Sequence, residues 1–327
     1  MTRPALCLAL LFAGGCAAPA DLPDAAAIDA RVRTAMAETR ANGMAIAVID
    51  DGRVAYVQAY GTRNANGDPL RTDTVMYGAS ITKTVMAYTT LTPVDRGRID
   101  SDTPLADYLE RPLISYGEGE AYLAKYGPYR DLAGDDRWRT ITARMALTHS
   151  TGFHNFWFIE PDQRLRIHFD PGSRYSYSGE GFSLLQFAIE QGDRARGLGL
   201  DVKALTDAIF ARLDMTAELV KPSLHIGTAH QFPNFAPELP KAEQRPDLAA
   251  GLGVIVFEGP QGRGFYKGGH DAQTANSFVC VERNRRCVLL LANDVRAEAR
   301  FADLVRFILG DTGVPYEWEY GDRAGIS

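Results

Sequence analysis

Strand-forming segments lie near both ends of this chain and are separated by a long segment with helical character. Residues 44–60 form two apolar, β-rich runs on either side of Asp51-Gly52, a pair typical of a hairpin turn. Residues 253–292 contain four more such runs, whereas residues 100–240 carry mainly helix signals. Because a sheet needs several strands to bury one face, we expect the strands of both ends to join in one sheet.

This pattern predicts an α+β fold in which an antiparallel sheet is flanked by an N-terminal helix over 25–40 and a C-terminal helix over 300–309. The helical middle is then an insertion, and a cleft should lie between the two lobes. The expected boundaries are one domain over about 25–310, with a sheet lobe (about 25–80 and 250–310), a mainly helical lobe (about 81–249) and a C-terminal tail (311–327).

The first residues are typical of an export signal. Arg3 gives a positive start, residues 5–13 are apolar, and two glycines precede Cys16. We therefore predict a signal peptide over 1–16, of the lipoprotein type in which Cys16 is lipidated. Ordinary cleavage near Ala17 or Ala18 is the alternative. The protein is expected to be periplasmic, or anchored to the membrane only through a lipid at Cys16.

Composition argues against a nucleic-acid partner. The chain has 35 basic and 41 acidic residues and a net charge of -6, and its short basic run, 283–286, is typical of a solvated hairpin turn. Cys280 and Cys287 lie on either side of this turn. In an oxidising compartment they can form a disulfide; the alternative is two small buried side chains. Neither a CxxC nor an HExxH pattern occurs, so we expect no metal and no cofactor.

Ser80 and Lys83 form an SxxK element at the start of a predicted helix, 81–95. A spacing of three places both side chains on one helix face. A serine hydroxyl is a weak nucleophile until a neighbouring base takes its proton, and a lysine in a dry cleft can act on that proton. By itself this short pattern also fits a helix-capping serine with an exposed lysine.

Two further elements can complete such a site. Tyr177 lies in a turn rich in hydroxyl groups and can serve as general base and acid when a lysine is close. Lys267, Gly268, Gly269 and His270 end a predicted strand, where the glycines let a substrate approach the backbone and the His270 N–H can bind an oxyanion.

The order and spacing of these three elements resemble those of the penicillin-binding proteins and serine β-lactamases, a family that includes D-alanyl-D-alanine carboxypeptidases, class C β-lactamases and related esterases. The resemblance covers about residues 25–310 and implies a β-lactamase/transpeptidase-like fold. It also implies that Ser80 is acylated, that Lys83 and Tyr177 move protons, and that Lys267 holds a substrate carboxylate or supports the base. The oxyanion hole would be formed by the N–H groups of Ser80 and His270.

This chain departs from the family pattern at two positions. Gly179 replaces the Asn of the usual Tyr-x-Asn, and Gly268 replaces the Thr of Lys-Thr-Gly. Both changes remove polar groups that would bind a peptide-like or β-lactam substrate, and they leave the groups needed for ester hydrolysis. We therefore expect an exported serine hydrolase of a small ester, amide or peptide, with cell-wall fragments among the candidate substrates. An esterase ranks before a D,D-peptidase or a β-lactamase, and the alternative is a non-catalytic penicillin-binding or sensor protein.

Overall fold

A computed structural model describes residues 21–117, 119–210 and 222–320. The predicted signal peptide and Cys16 therefore lie outside the described residues. The helices are α1 (Ala25–Thr39), α2 (Ile81–Asp95), α3 (Glu120–Leu123), α4 (Ala143–Leu147), α5 (Gly179–Gln191), α6 (Val202–Phe210), α7 (Phe301–Leu309) and α8 (Tyr316–Tyr320). The strands are β1 (Gly43–Asp50), β2 (Arg53–Gly61), β3 (Leu224–His225), β4 (Leu248–Ala250), β5 (Ile255–Gly259), β6 (Gly262–His270), β7 (Ala275–Val281) and β8 (Arg286–Ala292).

The two ends of the chain form one antiparallel sheet of eight strands in the order β2-β1-β8-β7-β6-β5-β4-β3. The N-terminal hairpin joins the C-terminal strands through β1 and β8, in a register that pairs Ala47 with Leu289. The predicted α+β class and the joining of both termini in one sheet are confirmed. Since β6 lies inside the sheet, its backbone is hydrogen-bonded to β5 on one side and to β7 on the other, which fixes the positions of its residues.

The sheet is buried on both faces around β5 and β6. Ile255 and Phe257 pack in a core with α1, α7 and α8, whereas Val256 belongs to the core of the helical lobe. This division follows from the two-residue period of a strand, which sends neighbouring side chains to opposite faces. Residues near the end of β6 therefore lie where the two lobes meet.

Two boundaries differ from the sequence prediction. The segment expected to be helical up to residue 249 contributes β3 and β4 to the sheet edge. The segment expected to be a tail from 311 onward instead packs on the sheet, with Tyr316 and Trp318 in its core. Strands of two and three residues are too short to give a periodic signal in the sequence. The aromatic residues of α8 pack against residues far away in the chain, so the local sequence does not indicate that they are buried.

Cys280 and Cys287 are directly opposite each other on β7 and β8, with Cα atoms 4.1 Å apart, and are joined by a disulfide. The turn between these strands contains a short 3₁₀ segment, Arg283–Arg285. Asn284 and Arg285 have positive φ there, a conformation in which Asn is one of the better-tolerated residues. Among the described helices, none combines the length and the apolar character needed to cross a bilayer.

Candidate active site

Ser80 lies at the N-terminal end of α2, after a tight turn. Ala79 has a φ of 45°, which is strained for a residue with a Cβ atom. The turn is held by the Ile81 N–H, which donates to the Gly78 carbonyl at 3.0 Å, and by Asn276, whose Nδ2 donates to the Tyr77 carbonyl at 3.0 Å. Strain at Ala79 is therefore offset by contacts with the sheet, and the Ser80 side chain has a fixed position.

Lys83 is one helical turn after Ser80, as the SxxK spacing predicts, and its Nζ lies 3.3 Å from the Ser80 Oγ. The helix is fastened to the segment before β5, because the Thr84 hydroxyl donates to the Gly253 carbonyl at 3.0 Å. A Cβ atom at Gly253 would lie 2.7 Å from the Ala87 Cβ, so glycine permits this close approach. The nucleophile and its neighbouring ammonium thus share a rigid element.

Tyr177 joins these two residues from the turn before α5 and is buried. Its ring centroid lies 5.2 Å from the Lys83 Nζ and 4.9 Å from the Lys267 Nζ. Burial by itself would raise the pKa of Tyr177, but the charges of Lys267 and Lys83 outweigh it and lower the pKa from 10.0 to about 8. The phenol oxygen makes no hydrogen bond of ordinary length, yet it is close enough to the Ser80 and Lys83 side chains for both to lower its pKa further.

Lys267 lies on β6 with its side chain buried, and its Nζ donates to the Gly268 carbonyl at 3.0 Å. Of the two roles that the resemblance implies, this position favours support of the base, because the ammonium faces Tyr177 and its own strand. Gly269 packs against the start of α2: a Cβ atom there would lie 2.8 Å from the Ser80 backbone nitrogen. The predicted Lys-Gly-Gly strand end therefore meets the predicted nucleophile.

His270 is the partly exposed end of β6. Its Nδ1 lies 3.4 Å from a Glu298 carboxyl oxygen, and the hydrogen bond with Glu298 raises the pKa of His270 above 6.5. The structure thus brings together Ser80, Lys83, Tyr177 and the β6 strand end.

Gly179 has no room for a side chain. A Cβ atom there would lie 2.7 Å from the Asn155 carbonyl oxygen and 3.0 Å from Cε1 of the Phe156 ring. The Gly179 N–H donates to the Asn155 carbonyl oxygen at 2.9 Å and to the Asn155 Oδ1 at 3.0 Å. The position at which the family has an Asn side chain is therefore filled by the backbone of Asn155 and by an aromatic ring.

Two residues of the site region were missed from the sequence. The first is His149, whose ring centroid lies 4.2 Å from that of Tyr177. Burial and the charges of Lys267 and Lys83 hold the pKa of His149 well below 6.5, and its Nδ1 accepts the Ser178 N–H at 3.0 Å. His149 thus fixes the Tyr177 turn as a neutral ring. Its position at the start of a His-Ser-Thr-Gly sequence is only a weak signal of such a role.

Glu319 is the second missed residue and comes from α8. It is buried, and its Oε1 accepts from the Gln231 Nε2 at 3.4 Å. Burial raises the pKa of Glu319, whereas the charges of Lys267 and His270 act in the opposite direction. A buried carboxyl group therefore lies within electrostatic reach of Lys267, and no local sequence pattern connects the two residues.

Comparisons with known proteins agree with this geometry. The beta-lactamase family profile matches residues 28–223, a range that includes Ser80, Lys83 and Tyr177 and ends before Lys267. The chain belongs to the beta-lactamase family. Over 199 residues it is 28% identical to Esterase EstB of Burkholderia gladioli, and this match covers 58% of the chain and 49% of the esterase. The matched region thus spans about half the length of this curated relative.

Solved structures show the same fold. The octameric penicillin-binding protein homologue from Pyrococcus abyssi superposes with a TM-score of 0.59 at 15% identity, covering 88% of this chain and 78% of that one. The D-alanine carboxypeptidase AmpC from Burkholderia cenocepacia gives 0.58 at 15% identity, covering 88% of this chain and 99% of that one. At such identities the likeness concerns the beta-lactamase fold. Among the described residues, no group of three or more His, Cys, Asp or Glu side chains is arranged to hold a metal ion.

Proposed function

We propose that this member of the beta-lactamase family hydrolyses small esters through an acyl-enzyme on Ser80. The observation that carries the proposal is the arrangement around the Ser80 hydroxyl. The Lys83 Nζ lies 3.3 Å from it, and Tyr177, with a pKa lowered to about 8, is buried beside both groups. A base whose pKa is near the working pH is well suited to proton transfer.

In the proposed reaction the Tyr177 phenolate takes the proton of Ser80 while the Ser80 Oγ attacks the ester carbonyl carbon. The carbonyl oxygen becomes an oxyanion, which the N–H groups of Ser80 and His270 stabilise. The C–O bond to the alcohol then breaks, and the alcohol leaves with the proton from Tyr177. In the second half, water attacks the acyl carbon and gives one proton to Tyr177. The bond between the acyl carbon and the Ser80 Oγ then breaks, and Tyr177 returns that proton to Ser80 as the acid is released.

Two features support an ester over a peptide or a β-lactam. Gly179 offers no side-chain amide, and Gly268 offers no hydroxyl next to Lys267. The Lys267 ammonium is occupied by the Gly268 carbonyl and faces the base. The 28% identity to an esterase is consistent with this choice.

The test is hydrolysis of p-nitrophenyl acetate by the purified protein, by Ser80→Ala and by the matched control Ser115→Ala, an exposed serine of the helical lobe. We expect turnover in the wild type and in Ser115→Ala and its loss in Ser80→Ala. A mass increase of one acetyl group on the wild type alone would identify the intermediate. Equal rates in all three proteins would refute the proposal, and a stable adduct with a β-lactam but no ester turnover would favour the sensor alternative.

We also propose that the protein is exported. The disulfide between Cys280 and Cys287 supports this proposal, because disulfides persist in oxidising compartments. Lipidation of Cys16 would place the protein in the membrane fraction, and Cys16→Ser should then release it into the periplasmic fraction. Recovery of the wild type from the cytoplasm would contradict export.

A further inference from the structure

Exposed apolar side chains are concentrated near Ser80 and Tyr177. Among the described residues, nine large apolar side chains are exposed, and six of them belong to three segments: one precedes Ser80 in sequence, one contacts the Tyr177 ring and one packs against Gly179. Scattered exposed apolar residues are normal, whereas a concentration of them marks a binding surface. The six are Val75, Tyr77, Phe156, Phe158, Ile159 and Phe232.

The first part of this surface takes the place of the missing Asn side chain. The Phe156 ring lies against Gly179, with Cε1 3.0 Å from the position of a Cβ atom. Phe156 and Phe158 stack with their centroids 5.1 Å apart and their planes 8° from parallel. Phe156 is 38% exposed and Phe158 is 51% exposed, whereas Phe153 of the same segment is completely buried in the core of the helical lobe. This segment thus presents a flat aromatic face to solvent beside Gly179, which follows Tyr177 by two residues.

The other two segments approach the same groups. Phe232 contacts the Tyr177 ring at a centroid distance of 5.5 Å and is 38% exposed. Tyr77 precedes Ser80 by three residues, and its backbone carbonyl is fixed by Asn276. Exposed apolar residues from three separate parts of the chain therefore precede Ser80, contact the Tyr177 ring and pack against Gly179.

The charge distribution at the site disfavours an anionic group in this position. Lys267 is only 3% exposed and donates to a backbone carbonyl, and Lys83 donates to Ser80. Both ammonium groups are thereby committed to Ser80 and Tyr177. A substrate carboxylate on the aromatic surface would lose its hydration without gaining a cation.

We infer that Phe156, Phe158 and Phe232, with Tyr77, form a subsite for the uncharged hydrocarbon chain of the acyl group. This inference rests on the proposed esterase function and names the substrate class. The acyl group is the part that the subsite would serve, because it stays bonded to Ser80 through both halves of the reaction while the alcohol leaves after the first. The substrates are therefore esters of apolar carboxylic acids.

The test compares kcat/KM for p-nitrophenyl acetate and butyrate, which differ by two methylene groups and share one leaving group. Complete burial of one methylene increases kcat/KM about fourfold. Complete burial of both added methylene groups would give about 15-fold, and for a half-open surface we expect butyrate to exceed acetate by roughly 4- to 8-fold. A p-nitrophenyl ester whose acyl chain has a similar length and ends in a carboxylate should react more slowly than butyrate.

Phe156→Ala and Phe232→Ala should each reduce the butyrate-to-acetate ratio at least threefold. The matched control is Phe307→Ala, which removes a phenylalanine with the same 38% exposure on α7 and should keep the wild-type ratio. Circular dichroism verifies that each variant is folded, and two variants from different segments protect the test against the failure of one.

The outcomes separate the two proposals. Hydrolysis that does not depend on Ser80 refutes the proposed function and this inference together. Three results with Ser80-dependent hydrolysis would overturn the subsite alone. These are no preference for butyrate, an unchanged butyrate-to-acetate ratio in both phenylalanine variants, and faster cleavage of the carboxylate-bearing ester. Acetate esters of different alcohols test whether the surface binds the alcohol instead of the acyl chain. If the rate loss in Phe156→Ala depends on the alcohol and not on the acyl chain, the assignment of the subsite to the acyl group is also overturned.

Discussion

Replacement of Lys267 by methionine tests how the site activates its base. Lys267 makes the largest contribution to lowering the pKa of Tyr177, ahead of Lys83, and together they bring it from 10.0 to about 8 against the effect of burial. Methionine retains most of the volume of the lysine stem and removes the charge. With Lys83 and the Ser80 hydroxyl left to oppose burial, we expect the pKa of Tyr177 to return to about 10.0.

The size of the effect follows from the phenolate fraction. At pH 7 a group with a pKa of about 8 is roughly one-tenth ionised, and a group with a pKa near 10 is roughly one-thousandth ionised. The active form thus falls about 100-fold, equivalent to about 2.7 kcal/mol. Because each remaining phenolate is a stronger base, part of this loss is recovered, and we expect kcat/KM at pH 7 to fall about 10- to 100-fold.

The assay is the pH dependence of kcat/KM for p-nitrophenyl acetate between pH 6 and 10.5. In the wild type, activity should rise with pH through about 8, since the deprotonated phenol is the active form. In Lys267→Met the rise should move about two units higher, so that the variants differ least at high pH. Lys241→Met, which removes an exposed lysine, is the control and should keep the wild-type profile.

An unchanged inflection in a folded Lys267→Met protein would refute this reasoning, even if the overall rate fell. Such a result would mean that Lys267 acts by shape or by holding the strand end, and that Tyr177 is not the titrating base. A uniform loss at every pH has the same meaning. Tyr177→Phe completes the set, because the rise near pH 8 should disappear with the phenol.

Three further predictions concern stability and packing. Burial raises the pKa of Glu180 from 4.5 to about 7, so the ionised carboxylate destabilises the folded protein above pH 7 and has no such effect below pH 4.5. Glu180→Gln should therefore be more stable than the wild type by about 3 kcal/mol at pH 8 and equally stable at pH 4. Equal changes in melting temperature at both pH values would contradict this. Gly269→Ala places a Cβ atom 2.8 Å from the Ser80 nitrogen and should lower kcat about 100-fold or more in a protein that still folds by circular dichroism; full activity would mean that the strand end does not fix the nucleophile. Cys280→Ser opens a bridge with a sequence separation of 7 and should lower the unfolding free energy in denaturant by about 2–3 kcal/mol, and a reductant should weaken the wild type similarly but not the variant.

Local features of the sequence predicted the parts of the site that depend on neighbouring residues. The spacing of Ser80 and Lys83 fixes their relative position as soon as α2 forms, because a helix has one geometry for residues three apart. Whether Cys280 and Cys287 are bonded was left open by the sequence, because it does not fix the register of their strands. The hairpin at Asp51-Gly52 follows from its turn residues and the two-residue period of strands. These interactions need no information about the rest of the fold.

What the sequence by itself determined was therefore the sheet built from both ends of the chain, the helix that carries Ser80 and Lys83, and the residue types of the three elements. Only the tertiary structure decided that Lys267 turns towards Tyr177, that Glu319 of α8 lies within reach of Lys267, and that Phe156 is exposed while Phe153 is buried. The physical reason is that these positions depend on packing between segments far apart in the chain, where periodicity reports which side chains are apolar but not which surface covers them.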